Sequence, residues 1–170
     1  AVAKQVSLTE LGSIKINKEE RGKMLKAIPR NSIIGFLIGV LPGAGATIAS
    51  FLAYGMERNF VSDEEKEKFG KGSVHGLTAP ETANNAACSG AFVPLLTLGI
   101  PGSGTTAVML GALLGFGIQP GPRLYITNPE IFWSVIMSMY IGMVVLLILN
   151  LPLIPYIARI LAVPKNYLIP

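Results

Sequence analysis

The sequence predicts an all-α membrane protein, a polytopic helical bundle whose helices are broken or re-entrant at Pro-Gly motifs. Three observations carry this expectation. Only 14% of the 170 residues are charged while 51% are hydrophobic, against about 25% charged in an ordinary soluble domain. The charges are also gathered, ten within residues 1–30 and nine within residues 57–71. Three uncharged stretches stand apart from them, Asn31–Met56 (26 residues), Thr82–Pro122 (41) and Ile131–Ala158 (28). Each exceeds the roughly 20 residues that cross a bilayer. Finally, Gly and Pro number 19 and 12, and thirteen of them fall in the three windows 39–45, 99–104 and 115–122. Membrane helices tolerate such residues where neighbouring helices or a cavity satisfy the freed backbone groups.

Composition removes several function classes. The net charge of +4 comes from the segment 1–30 and not from basic clusters interleaved with aromatics, so no nucleic-acid surface is expected. That basic segment suits the cytoplasmic side of a membrane, or serves only as a solvated connector. The single cysteine, Cys88, excludes an intramolecular disulfide and a cysteine zinc site. The chain starts at Ala1 with no signal-peptide pattern and stops inside an apolar run, which predicts a piece of a longer polypeptide.

In order along the chain, residues 1–30 read as a polar juxtamembrane segment ending near Pro29. Residues 31–56 read as a broken membrane helix or a re-entrant hairpin, interrupted at Leu41-Pro42-Gly43-Ala44-Gly45. Residues 57–77 read as a solvated loop with a short helix over Asp63–Phe69. Helix restarts at Thr78-Ala79-Pro80-Glu81, a Thr-x-x-Glu capping-box pattern, and residues 78–118 form a broken membrane helix pair interrupted at Gly99-Ile100-Pro101-Gly102-Ser103-Gly104. A turn at 119–130 contains Gln119-Pro120-Gly121-Pro122. A transmembrane helix over 131–151 follows, and 152–170 begins the next apolar segment.

The two interruptions align as Leu41-Pro-Gly-Ala-Gly-Ala-Thr47 and Ile100-Pro-Gly-Ser-Gly-Thr-Thr106, identical at four of seven positions. The half-helices flanking each are about 13 to 21 Å long, so each break falls near the middle of a hydrocarbon core about 30 Å thick. Pro42 and Pro101 supply no N–H and disturb the preceding turn. The groups they free must face protein or a watery cavity. Paired Gly/Pro interruptions in corresponding positions are the sequence pointer to a transporter's substrate site, and the half-helix after each glycine presents free N–H groups that suit an anion. A kink that serves packing alone is the competing reading.

Glu81 opens the longest uncharged stretch and shares one helical face with Asn84 and Asn85, three and four residues on. Two readings stand open for Glu81: the N3 member of the Thr78 capping box, or part of a cation or proton site with the asparagines. Asn84 and Asn85, poor helix formers, either bond across helices or hold a ligand. His75, the lone histidine, reads as a solvated loop residue. Gly35-x-x-x-Gly39 and Gly111-x-x-x-Gly115 read as close helix-packing faces. Trp133, Tyr54, Tyr125 and Tyr156 fit an interfacial aromatic belt. Gly99-x-x-x-x-Gly104-Thr105-Thr106 imitates a phosphate-binding loop, but Thr105 replaces its lysine. No nucleophile–base pair is legible, so neither an ATPase nor a hydrolase is expected.

These residues carry a family resemblance. Gly39-Val-Leu-Pro-Gly-Ala-Gly-Ala-Thr47, Ala79-Pro-Glu-Thr-Ala-Asn-Asn-Ala86, Pro94-Leu-Leu-Thr-Leu-Gly-Ile-Pro-Gly-Ser103 with Thr106-Ala107, and Pro120-Gly-Pro122 closely resemble the large membrane subunit of the tripartite tricarboxylate transporters, the TctA type. The likeness covers nearly the whole chain and matches the second half of such a subunit, one half of an inverted-repeat transporter. It implies uptake of citrate-like tricarboxylates or related carboxylates across the bacterial inner membrane by a multi-pass protein. It further implies an ion gradient as driving force, a periplasmic solute-binding protein that delivers substrate, and a small membrane subunit alongside.

The expected site follows from both readings. Gly43, Ala44, Gly45, Thr47, Gly102, Ser103, Gly104, Thr105 and Thr106 are expected to bind substrate carboxylates, with Pro42 and Pro101 making the breaks. Glu81, Asn84 and Asn85 are expected to hold the coupling cation, Na+ or H+, or a second carboxylate. No cofactor and no resident metal are expected. The competing class is a membrane scaffold or channel subunit whose Pro-Gly breaks serve only helix packing.

Overall fold

The computed structural model describes residues 16–160. The parts of the polar lead-in at 1–15 and of the last apolar segment at 161–170 lie outside the described residues. Among the described residues there are helices and no strands: α1 (Lys18–Val40), α2 (Gly45–Phe60), α3 (Asp63–Lys66), α4 (Val74–Gly90), α5 (Phe92–Leu98), α6 (Gly104–Gly115), α7 (Leu124–Thr127) and α8 (Pro129–Ile160). The all-α expectation is met.

Local sequence explains most boundaries. Asn17 caps α1 by accepting the Glu20 N–H at 2.7 Å, and Glu20 returns the bond to the Asn17 N–H at 2.8 Å. That reciprocal box satisfies two donors the first turn would otherwise leave free. α1 stops before Pro42, and Gly43 (φ 81°) and Gly45 (φ 66°) make the left-handed turns into α2, which glycine adopts without a Cβ penalty. Ser73 opens α4 by accepting the Gly76 N–H at 3.0 Å. The expectation of a helix start at Thr78 is therefore corrected: Thr78 is buried inside α4 and Glu81 lies in the middle of the helix. The Thr-x-x-Glu pattern was matched, but a serine five residues earlier caps first. α5 ends at Gly99 (φ 69°) and α6 begins behind Ser103.

Residues 17–132 form one compact unit. Its centre is α1, α2 and α4, packed through small residues. A Cβ at Gly35 would stand 2.5 Å from Ala83 Cα, and one at Gly39 2.6 Å from Ala87 Cα. Residue numbers rise together across this contact, so α1 and α4 run parallel. Glu57 meets His75 while Ser50 meets the Pro80 carbonyl, so α2 runs antiparallel to α4. Ala49, Ala53, Ala83 and Ala87 form the buried cluster between them. Ile33, Phe36, Leu37, Ile48, Phe51 and Leu52 point outward and are exposed. Small residues inside and large apolar residues outside reverse the soluble pattern, and they match helices that associate by close backbone approach in lipid.

The Gly35-x-x-x-Gly39 expectation is met by this contact. Gly111 and Gly115 are exposed, and a Cβ at either would meet nothing within 4 Å among the described residues. α8 from Trp133 belongs to a second unit. Over Pro129–Ile154 it is the one described helix long and apolar enough to cross a membrane.

Candidate functional site

The first break is open. Leu41, Pro42 and Gly43 are exposed, as is Thr47, while Ala44, Gly45 and Ala46 are half-buried. The break is spanned by two short bonds, Leu41 N–H to Ile38 O at 3.0 Å and Ala44 N–H to Leu41 O at 3.2 Å. Ala44 provides no side-chain cap to α2, and nothing lies within 4 Å of a Cβ built at Gly43 or Gly45. The first turn of α2 thus lacks the side-chain partner that most helix starts have.

The second break is built differently. Gly102 is buried, and a Cβ there would stand 3.1 Å from Ala91 Cβ and 3.3 Å from the Gly39 carbonyl. The second Pro-Gly turn is thereby seated on the last turn of α1, three residues before Pro42. Ser103 and Thr106 form a capping box: Ser103 N–H donates to Thr106 Oγ1 at 2.8 Å, and Thr106 N–H donates to Ser103 Oγ at 3.3 Å. Thr106 Oγ1 also donates to the Ser103 carbonyl at 2.9 Å. Those two hydroxyls are occupied within the break, Thr106 is buried, and Gly104 and Thr105 are exposed. The Gln119-Pro120-Gly121 turn is tied to α5 by the Gly121 N–H on Leu96 O at 3.3 Å.

Glu81 and Asn85 are exposed and Asn84 is half-buried on one face of α4. Asn85 Nδ2 donates to the Glu81 carbonyl at 2.8 Å, which joins two of the three within their own helix. Cys88, one turn further on, is exposed on the same face. No hydrogen bond among the described residues joins this triad to either break.

Sequence reasoning missed a buried charged cluster. Glu57 is fully buried and its carboxylate receives four donors. Arg30 donates Nη2 to Oε1 at 2.6 Å and Nε to Oε2 at 3.0 Å, Asn31 Nδ2 donates to Oε2 at 2.8 Å, and His75 Nδ1 lies 2.8 Å from Oε1. The Arg30 guanidinium also stacks 4.2 Å over Phe60. His75 is thus buried and paired, which corrects its reading as a solvated residue. Glu57 and Glu65 likewise leave the expected solvated loop for the interior. Burial pushes the Glu65 carboxyl up, but hydrogen bonds from Lys23 (3.2 Å) and Ser73 (3.1 Å), with the nearby Lys68 charge, outweigh it and hold Glu65 below the ordinary carboxylate value.

Arg30 and Glu57 bracket the uncharged stretch 31–56, so their direct pairing brings both ends of that stretch to one level. From Arg30 to Val40 is about 15 Å of helix, and from Gly45 to Glu57 about 18 Å.

A family model described as "Tripartite tricarboxylate transporter TctA family" matches residues 2–170. Two curated relatives from Agrobacterium vitis are similar. One, "Uncharacterized 52.8 kDa protein in TAR-I ttuC' 3'region", is 40% identical over 167 residues, 98% of this chain and 33% of its own length. The other, "Uncharacterized protein in TAR-II ttuC' 3'region", is 46% identical over 136 residues, 80% of this chain and 55% of its own length. The chain therefore spans a third and about half of the two relatives. No solved structure matches it.

Proposed function

The chain belongs to the tripartite tricarboxylate transporter TctA family, whose members are transporter components and not enzymes, and from that premise we propose that it forms part of the substrate pathway of a carboxylate importer. The transporter sits in the bacterial inner membrane as a multi-pass protein and draws on a Na+ or H+ gradient. A periplasmic binding protein delivers tricarboxylates or related carboxylates, and a small membrane subunit accompanies the large one.

The observation that carries this reading is the seating of the second break on the end of α1, beside the first. In the proposal α1 and α2 make a re-entrant hairpin. Its charged base at Arg30 and Glu57 lies at one membrane face, and its tip at Pro42-Gly43 lies about half-way through a core roughly 30 Å thick. The uncapped first turn of α2 offers N–H groups at Gly45, Ala46 and Thr47 to a carboxylate. Gly104 and Thr105 add the exposed start of α6. Glu81, Asn84 and Asn85 hold the coupling cation or a second carboxylate.

A second reading has its own observation. The Ser103 and Thr106 hydroxyls bond each other, and Gly102 is packed under Ala91, which suits a break made only for packing in a scaffold or channel. Reconstitution separates the two. Proteoliposomes holding the intact subunit, its small partner and the binding protein are expected to accumulate tricarboxylate only under an imposed ion gradient. Gradient-independent flux would establish a channel, and absence of flux a scaffold.

A further inference from the structure

The first turns of α1 carry cations that nothing in the fold neutralises. The acids at this end of the hairpin are engaged elsewhere. Glu19 pairs with Lys23 at 3.0 Å, Glu57 with Arg30, Asp63 with Lys66 at 2.7 Å, and Glu64 with Lys68 at 3.2 Å. Glu65 also takes Lys23, and Glu20 closes the cap on Asn17. Glu67, which has no ion pair among the described residues, follows α3, and α3 meets α1 at Lys23. Lys18, Arg21 and Lys26 are exposed and have no ion-pair partner among the described residues. They share an arc of about 140° on the helix with Leu25 and Pro29, both exposed. Ala27 and Asn31, the buried residues of these turns, lie on the opposite side. The same arc continues into Ile33 and Phe36, 63% and 42% exposed. One face of α1 therefore passes from basic to apolar within about two turns.

Pro29 marks the boundary. It offers no N–H to the Leu25 carbonyl, and a carbonyl so freed needs a donor that hydrocarbon does not supply. With the hydrocarbon edge at Leu25, Lys26 stands within about 2 Å of it and Arg21 about 6 Å outside. Both fall in a headgroup layer roughly 5–7 Å thick. Helix side chains lean toward the N-terminus, here toward the headgroups, so Lys26 can snorkel outward. Lys18, about 10 Å out, remains near enough to add its attraction across about one Debye length.

We propose that Arg21 and Lys26, with Lys18 behind them, form an anionic-phospholipid site on the outward face of α1, which holds phosphodiester headgroups of one leaflet at the base of the hairpin. A lipid fits this face as a whole: the guanidinium and ammonium groups meet the phosphate, and Leu25, Ile33 and Phe36 meet the acyl chains. This rests on the membrane placement of the hairpin base in the importer reading above.

The test uses the intact subunit in phosphatidylcholine vesicles, with Cys88→Ser and a bimane fluorophore on Gly22→Cys. Gly22 lies between the two cations, and a Cβ there meets nothing within 4 Å. Quenching by spin-labelled phosphatidylglycerol, compared with spin-labelled phosphatidylcholine, reads which lipid occupies the face. Phosphatidylglycerol is expected to be preferred about 25-fold, roughly fivefold for each of the two cations. R21Q/K26Q should bring the preference close to one with the unfolding midpoint unchanged. R58Q/K71Q, which removes two exposed cations outside this face, should leave the preference intact. Equal losses in the two pairs would reduce the effect to net charge and overturn the site. An unchanged preference in R21Q/K26Q, or its failure to fold, overturns it as well. So does a fluorophore shielded from water by the small membrane subunit in lipid-free detergent, because an acidic partner protein would then cover the face. Gradient-driven uptake is read in the same vesicles. Uptake without lipid preference sinks the site and leaves the importer, whereas preference without uptake supports the site and sinks the importer.

Discussion

Replacing Glu57 by Ala is expected to lower the stability of the α1–α2–α4 unit by about 3–5 kcal/mol, the range for breaking a buried ion pair from one side. The carboxylate is fully buried and receives Arg30 in a two-pronged pair at 2.6 and 3.0 Å, together with Asn31 and His75. Its removal leaves the guanidinium, the amide and the imidazole partly or wholly enclosed with no acceptor between them. The unpaired groups, more than the lost attraction, carry the cost. The comparison is Glu64→Ala, which removes an exposed pair with Lys68 at 3.2 Å and should cost about 0–1 kcal/mol. The unfolding midpoint of the detergent-solubilised subunit measures both. Equal shifts for the two variants would mean that Glu57 is solvated and that the cluster does not hold the hairpin base.

Gly39→Val should be comparably damaging. A Cβ at this position would lie 2.6 Å from Ala87 Cα and closer still to the Ala87 carbonyl oxygen. Both obstacles are backbone, so no side-chain rotation relieves them, and α1 and α4 must separate. The loss is expected at or above the upper end of the ~1–3 kcal/mol usual for overpacking. It should also unseat Gly102, which rests on the Gly39 carbonyl. Gly111→Ala is the opposite case: its Cβ would meet nothing within 4 Å, and a helix-interior glycine replaced by alanine should gain about 0.5–1 kcal/mol. Folded yield and unfolding midpoint of the two variants read the contrast directly. A tolerated Gly39→Val would refute the close parallel packing of α1 on α4.

Much of this architecture is legible in the sequence, because its strongest signals are local. Pro42-Gly43 and Pro101-Gly102 break helices wherever they occur, so both interruptions fall where the motif places them. Gly35 and Gly39 likewise meet the close contact that their spacing predicts, although Gly111 and Gly115 share that spacing and meet nothing within 4 Å among the described residues. Thr78 misleads for a local reason too, since a capping box can be matched inside a helix that Ser73 has already started. The charged cluster escapes because its members are distant in sequence, Arg30 and Glu57 by 27 residues and His75 and Glu57 by 18. Counting charge by segment consigns all three to solvated connectors. A signal was nevertheless present. Glu57 and His75 each extend an Ala/Gly row by one further step of four residues and Asn31 stands within one, between Ala27 and Gly35, and a polar residue in step with such a buried row faces the same interior. Position relative to the stripe, and not charge density, marks such residues as buried.

The central claim, that the exposed Glu81, Asn84 and Asn85 face of α4 belongs to the proposed substrate pathway, is tested most directly by the thiol of Cys88. It is exposed one turn beyond Asn84 and Asn85. In an intact subunit where Cys88 is the only cysteine, the rate of maleimide labelling should fall as tricarboxylate is added, and replacement of Asn85 by Ala should abolish that protection. A labelling rate that stays constant at every substrate concentration, in a preparation that transports, would place the substrate elsewhere and contradict the assignment.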